Sequence, residues 1–340
     1  APRQRPAGAC FHRSCRMIHI SAEDIDRCLT HAGLVDILRE AFRAGAVQPL
    51  RHHHTVERPQ GSDVTLLLMP AWSDPSNGTG ETYIGVKVVT VSPDNNTIGK
   101  PAIMGVYLLL DGATGEPRAL IDGQRLTLWR TACASALAAS YLAREDAERL
   151  LVVGAGALAP HLARAHASQR PIREIKIWNR TPANAEKVAE ALRAEGYHAS
   201  MAGNLDAAVS WADIVSCATL SSEPLVRGQF LRPGTHVDLV GAYAPTMREG
   251  DDAAISRSAV YVDTRAGATK EAGDIVQAIK SGALALQDIK ADLFELSRGE
   301  RPGRQSPDEI TLFKSVGAAI EDLAAGIAVY KAFNGETGPH

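Results

Sequence analysis

No run of apolar residues in this chain approaches the roughly 20 that a membrane-spanning helix requires, and no such helix is expected. Charge of one sign is not in excess either. There are 36 Lys and Arg against 39 Asp and Glu, for a net charge of −3. That balance leaves no electrostatic footprint for nucleic acid. Cysteine is scarce: Cys10, Cys15, Cys28, Cys133 and Cys217 form no Cys-x-x-Cys pair, and their number is odd. A disulfide framework is therefore not the organising device, and a reduced, cytoplasmic compartment fits best. Cys133 and Cys217 fall among apolar residues and should be buried and inert. Metal-ligand spacing is also missing. His52-His53-His54 would alternate faces on a strand, so the three cannot easily close on one ion, and no further ligands are evident. No metal is expected.

Residues 1–16 are basic and Pro-rich without an apolar core, which is not the pattern of a secretory signal. Met17 is a natural start, and 1–16 read as a mobile extension or as the product of an upstream start. The remainder, in a chain of 340 residues that is 45% hydrophobic, is long enough for two domains.

The richest segment is Leu150-Leu-Val-Val-Gly154-Ala-Gly156-Ala157-Leu158-Ala159-Pro160. It reads as a buried strand, a glycine turn and a helix. A second strand, Glu174-Ile-Lys-Ile-Trp-Asn179-Arg180-Thr181, follows about 20 residues later, the spacing of a dinucleotide-binding βαβ unit. Gly154 would make the tight turn, Gly156 would let backbone approach a pyrophosphate, and Ala159 would allow close helix–strand packing. The phosphates would face the helix N-terminus, where free N–H groups and the dipole favour anions. An NAD enzyme places an acid at the end of the second strand for the ribose 2′-OH. Asn179 and Arg180 stand there instead. A carboxylate would repel a 2′-phosphate and Arg180 can bind one, so NADPH is the expected cofactor, with NADH second.

Ahead of this unit, Ser21-Ala-Glu-Asp24 is a helix N-cap signature, and 34–47 continue at helical spacing. Strands are expected at 64–69, 83–91 and 103–110, with a turn at 111–117, giving an α+β region with a mixed or antiparallel sheet. An Ala-rich helix over 127–142 leads into the second region. Further strands at 214–219, 236–241 and 259–263 alternate with helices, which means a doubly wound parallel sheet. The segment 311–330 reads as one long amphipathic helix. The expected organisation is α/β: a substrate and dimerisation domain at 17–125, completed by a C-terminal helix at 314–332, and a Rossmann domain at 126–313.

Four segments in order, Gly85-Val-Lys87-Val-Val, Leu126-Thr-Leu-Trp-Arg130-Thr-Ala, Val152-Val-Gly-Ala-Gly and Ile310-Thr-Leu-Phe-Lys-Ser-Val-Gly, resemble the ornithine cyclodeaminase/μ-crystallin family over nearly all of Met17 to Tyr330. The resemblance implies a homodimer and a nicotinamide cofactor acting on small amino acids or cyclic imines. It also implies that Arg51, Lys87 and Arg130 meet the substrate carboxylate, with Arg51 and Arg130 suited to a bidentate grip and Lys87 partly buried as the acid–base group. Arg130, Thr131, Gly154, Gly156, Ala157, Leu158, Asn179, Arg180, Thr219, Gly241 and Ala242 make up the cofactor set.

One departure discriminates within the family. Cyclodeaminases carry an Asp in a Gly-Gly-Asp-x-Pro segment; here the segment is Gly241-Ala242-Tyr243-Ala-Pro245-Thr-Met-Arg-Glu249. A Tyr of ordinary pKa cannot serve as that carboxylate. The variant resembles the ketimine reductases, especially Δ1-pyrroline-2-carboxylate reductases, with Tyr243 lining the substrate pocket. Δ1-Piperideine-2-carboxylate is a second substrate of that class, and degradation of trans-3-hydroxy-L-proline is the pathway the resemblance suggests. An amino-acid dehydrogenase or cyclodeaminase of the same fold, and a non-catalytic crystallin-like binding protein, are the alternatives. Asp238 and Asp263 read as structural residues of the Rossmann strands.

Overall fold

The structure is a computed structural model that describes residues 17–336 apart from Thr79; the 1–16 extension lies outside the described residues. The first sheet is built from β1 (Ile18–Ile20), β2 (Ala46–Val47), β3 (His52–Val56), β4 (Val64–Ser73), β5 (Tyr83–Val91), β6 (Ile103–Asp111) and β7 (Pro117–Asp122). Its order is β1-β7-β6-β5-β4-β2, with β3 also on β4. β1 runs parallel to β7 and the other pairs are antiparallel, so the sheet is mixed. Between β1 and β2 lie α1 (Ala22–Cys28) and α2 (His31–Ala44). Ser21 caps α1 in a full capping box with Asp24, which satisfies two otherwise orphaned backbone donors.

Alternation along β5 puts Tyr83, Gly85 and Lys87 on the inward face. Across the ladder Lys87 pairs with Tyr107 of β6. Gly85 is required there: a Cβ would lie 1.7 Å from the Tyr107 hydroxyl oxygen.

α3 (Gly123–Leu142) leaves the first sheet with Asp122 as its cap and is buried nearly all round. Its run of Ala, Ser and Cys lets other elements close on every side, against α2 and the helices named next. The second half then alternates: β8 (Arg149–Val153), α4 (Leu158–Gln169), β9 (Glu174–Trp178), α5 (Pro182–Ala194), β10 (Ala199–Met201), α6 (Leu205–Trp211), β11 (Ile214–Cys217), β12 (His236–Leu239), α7 (Asp252–Ser256), β13 (Ala259–Val262), α8 (Arg265–Glu271), α9 (Gly273–Ser281), β14 (Ala291–Asp292), α10 (Leu293–Ser297), β15 (Thr311–Lys314) and α11 (Ala319–Phe333). The eight strands are ordered β10-β9-β8-β11-β12-β15-β13-β14, and all their pairings are parallel. The strand order reverses at β8 and β11, where ligands of doubly wound sheets bind.

Two expectations need correction. The segment 311–330 is not one helix: 311–314 form β15, inserted between β12 and β13, and the helix begins only at Ala319. Gly317, at φ +81, separates them. A helix over 314–332 therefore starts five residues too early. The expected boundary at 125/126 falls inside α3. α11 returns to the first sheet, packing on β4, β5 and β6 as well as α2 and α3.

Among the described residues, no helix packs in this way on the opposite face of that sheet. By register, Val56, Leu66, Leu68, Val88, Met104 and Val106 point outward together. Val56, Met104 and Val106 are 48%, 43% and 41% exposed.

Candidate active site

Two groups of residues stand at the carboxyl ends of the second sheet and beneath α11. The first is the glycine turn. Gly154 has φ +110, and a Cβ on it would lie 2.5 Å from the Ala218 carbonyl oxygen, so the position excludes other residues. Nothing lies within 4 Å of a Cβ on Gly156, which leaves backbone open to an approaching group. α4 starts just beyond, at Leu158, and no side chain caps it at Ala157. An open, uncapped helix start fits a pyrophosphate. At the end of β9 the Asn179 amide donates to the Thr181 carbonyl at 3.0 Å, and Arg180 is exposed.

The next turns share one acid that sequence reasoning gave no role. Glu249, fully buried, accepts from the Thr219 N–H and hydroxyl at 2.6 and 2.9 Å through Oε1. Through Oε2 it accepts from the Gly241 and Ala242 N–H groups at 2.7 and 3.3 Å. Tyr243 follows, half-buried against the core of the second sheet. Burial raises its pKa, so its hydroxyl stays protonated.

The second group is a buried ion cluster. Lys87 is 3% exposed, and its Nζ lies 2.7 Å from Asp322 Oδ2 of α11. Arg130 of α3 donates through Nε to Asp322 Oδ1 at 3.0 Å and through Nη1 to Glu321 Oε2 at 2.8 Å. Burial and the neighbouring Arg130 charge pull Lys87 down to a pKa of about 8, against the opposing pull of Asp322. Burial, with Asp263 and Asp322 nearby, lifts Glu321 to about 7 although Arg130 works against it. Asp322 is buried too, but the two cations outweigh that cost and hold its pKa below the usual value.

Arg51 joins through the loop between β15 and α11. It donates to the Gly317 and Val316 carbonyls at 2.7 and 3.3 Å, and its Nε lies 3.2 Å from Glu271 Oε2 of α8. Asp263 holds the same loop from the other side, accepting from the Val316 and Gly317 N–H groups at 2.7 Å each. A Cβ on Gly317 would lie 2.5 Å from Arg130 Nη1. The structure thus brings Arg130 and Arg51 to one loop, and joins Lys87 to Arg130 through Asp322. No hydrogen bond or ion pair among the described residues joins Tyr243 or Arg180 to this cluster. Thr131, next along α3, is buried.

A carboxylate grip by Arg51 and Arg130 would have to share each guanidinium with protein acceptors. Among the described residues, Nε and Nη2 of Arg51 and Nε and one N–H of Nη1 of Arg130 meet protein acceptors, which leaves Arg51 Nη1, Arg130 Nη2 and the second N–H of Arg130 Nη1 to donate to a ligand. Asp238 is structural, accepting from Ser135, Ser216 and His166 in the core. His52, His53 and His54 are exposed on β3.

The model of the ornithine cyclodeaminase/mu-crystallin family matches residues 17–337. The chain belongs to that family. It is 40% identical over 324 residues to Protein SAR DEFICIENT 4 of Arabidopsis thaliana, covering 93% of this chain and 97% of that one. It is also 40% identical over 288 residues to the Δ1-pyrroline-2-carboxylate reductase of Paracoccus denitrificans, covering 82% and 89%. Among solved structures, the Thermococcus litoralis Δ1-pyrroline-2-carboxylate reductase in complex with NADH and L-proline superposes with a TM-score of 0.87. It shares 32% identity, covering 95% of this chain and all of that one.

For this member of the family, Asp322 should be the anion on which the cluster's stability depends. Removing one partner of a buried ion pair leaves an uncompensated charge, at a cost of about 3–5 kcal/mol. Asp322→Asn should lower the unfolding free energy by that amount in a denaturant titration. A loss under about 1 kcal/mol would mean that Lys87 and Arg130 find other partners.

Proposed function

We propose that this chain is an NAD(P)H-dependent ketimine reductase that converts Δ1-pyrroline-2-carboxylate to L-proline. Lys87 carries the reading. A buried ammonium, held by Asp322 and with a pKa of about 8, is protonated at neutral pH yet close enough to it to give the proton up. The bound nicotinamide supplies the hydride. The free nitrogens of Arg51 and Arg130 hold the substrate carboxylate, and Lys87 Nζ protonates the imine nitrogen as the C=N bond is reduced. Holding the carboxylate fixes the ring in reacting range, so that only proton and hydride transfer remain. Tyr243, neutral and half-buried, lines the pocket without demanding a counter-charge, and it cannot replace the carboxylate on which deamination of ornithine depends. Δ1-Piperideine-2-carboxylate presents the same carboxylate and imine and is a second substrate. The physiological setting that suits this reaction is trans-3-hydroxy-L-proline degradation in the cytoplasm.

NADPH is the preferred cofactor in this reading, because the turn after β9 presents Arg180 and no acid. NADH binds as well, through the glycine turn and α4. Steady-state rates with each imine and each cofactor test the assignment. Lys87→Ala should lower kcat/KM by about 100-fold or more, as loss of a positioned proton donor does. Arg180→Ala should weaken NADPH by about 10- to 150-fold and spare NADH, the range of a charge-assisted phosphate contact. Ammonia release from ornithine at rates comparable to imine reduction would contradict the proposal, and equal losses with both cofactors would contradict the role of Arg180.

The assembly proposed is a homodimer through the uncovered face of the first sheet. Six apolar side chains on one face favour pairing with a like surface. The protein should sediment as a dimer without ligand, and Val106→Glu should give a monomer. A monomeric unmodified protein would contradict this.

A further inference from the structure

We infer that Glu249 is the positioning residue for the turns that carry the nicotinamide half of the cofactor. The inference rests on the dinucleotide reading above. With the adenosine ribose at the end of β9 and the pyrophosphate at the β8–α4 turn, the remaining half must lie over the ends of β11 and β12. Those ends are Thr219 and Gly241-Ala242, and a single carboxylate takes all four of their donors. A Cβ on Gly241 would lie 1.9 Å from the Thr219 carbonyl oxygen, so the two turns are pressed together. Neither can shift without moving the carboxylate between them.

Glu249 is itself fixed from behind. Asp274 Oδ1 accepts from the Glu249 and Gly250 N–H groups at 2.8 and 2.9 Å. The Lys314 ammonium of β15 lies 3.1 Å from Asp274 Oδ2 and 3.8 Å from Glu249 Oε2. All three side chains are wholly buried. Charge burial of this kind is costly unless paired and hydrogen-bonded, and here it is concentrated under two turns of the expected cofactor site. The cluster uses neither Lys87 nor Arg130 and stands apart from the proton-donating group.

The conservative replacement Glu249→Gln tests this, because it keeps the shape but turns an amide N–H toward backbone N–H donors. NADH affinity, followed by nicotinamide fluorescence, should fall about 10-fold or more, while the KM for the imino acid stays within about threefold. A purely structural role would lower the melting temperature and leave the dissociation constant of the folded protein within about twofold of the unmodified value; that result overturns the inference. If Glu249→Gln does not fold, Asp274→Asn acts on Glu249 without touching either turn and should show the same split. Unchanged NADH binding in that variant overturns the inference equally. Failure of the unmodified protein to bind NADH or NADPH would instead overturn the dinucleotide reading.

Discussion

Lys87 and Arg130, from different elements of the first half of the chain, share the Asp322 carboxylate in the interior, and the architecture is arranged to permit it. Lys87 comes from the middle of the first sheet, Arg130 from the helix that leads out of it, and Asp322 from the last helix, about 190 residues further on. Moving any one of these charges out of water alone would cost several kcal/mol. The three are stable together only where β5, α3 and α11 are brought to one point. That requirement gives the late return of α11 to the first sheet a physical reason, and it explains two glycines. Gly85 and Gly326 clear the space that the Tyr107 ring fills beneath α11, letting helix and sheet approach closely enough for the ion pairs to form.

The short loop from β15 to α11 carries this arrangement to the second half. Its two central N–H groups are held by Asp263 at the end of β13, and its carbonyls by Arg51 ahead of β3. Arg51 also reaches Glu271 of α8. A substrate bound to Arg51 and Lys87 would therefore be fixed relative to both sheets, and through Glu249 and Lys314 the turns expected to hold the cofactor hang from the same strand, β15. Positioning of hydride donor and acceptor becomes a property of the fold and not of one mobile loop.

Much of this was legible in the sequence. The glycine turn with its flanking strands and the strands at 83–91 and 103–110 follow from spacing and alternation alone, and the burial of Lys87 from the family resemblance. What was not legible shares a cause. β15 is a buried parallel strand of four residues, and a short apolar run of that kind cannot be told from helix by its period; Gly317 was the available signal for the break. Glu321 and Asp322 sit in an Ala-rich segment that reads as an amphipathic helix, with no sign in its period that both acids are buried against partners from distant segments. Glu249 lay within a quoted motif, but its role depends on two turns meeting in space. The acceptors that Arg51 and Arg130 already hold were hidden for the same reason, since they are tertiary contacts.

The central claim is that one buried, ion-paired lysine supplies the proton. The pH dependence of kcat/KM for imine reduction tests it most directly, because that profile reports groups of the free enzyme. With Lys87 required in its charged form, activity should be level below about pH 8 and fall as the pH rises through that value. The break should keep its place for two imines of different basicity, which separates it from titration of the substrate. A profile level to pH 9.5, or a break that follows the basicity of the imine, would contradict the account.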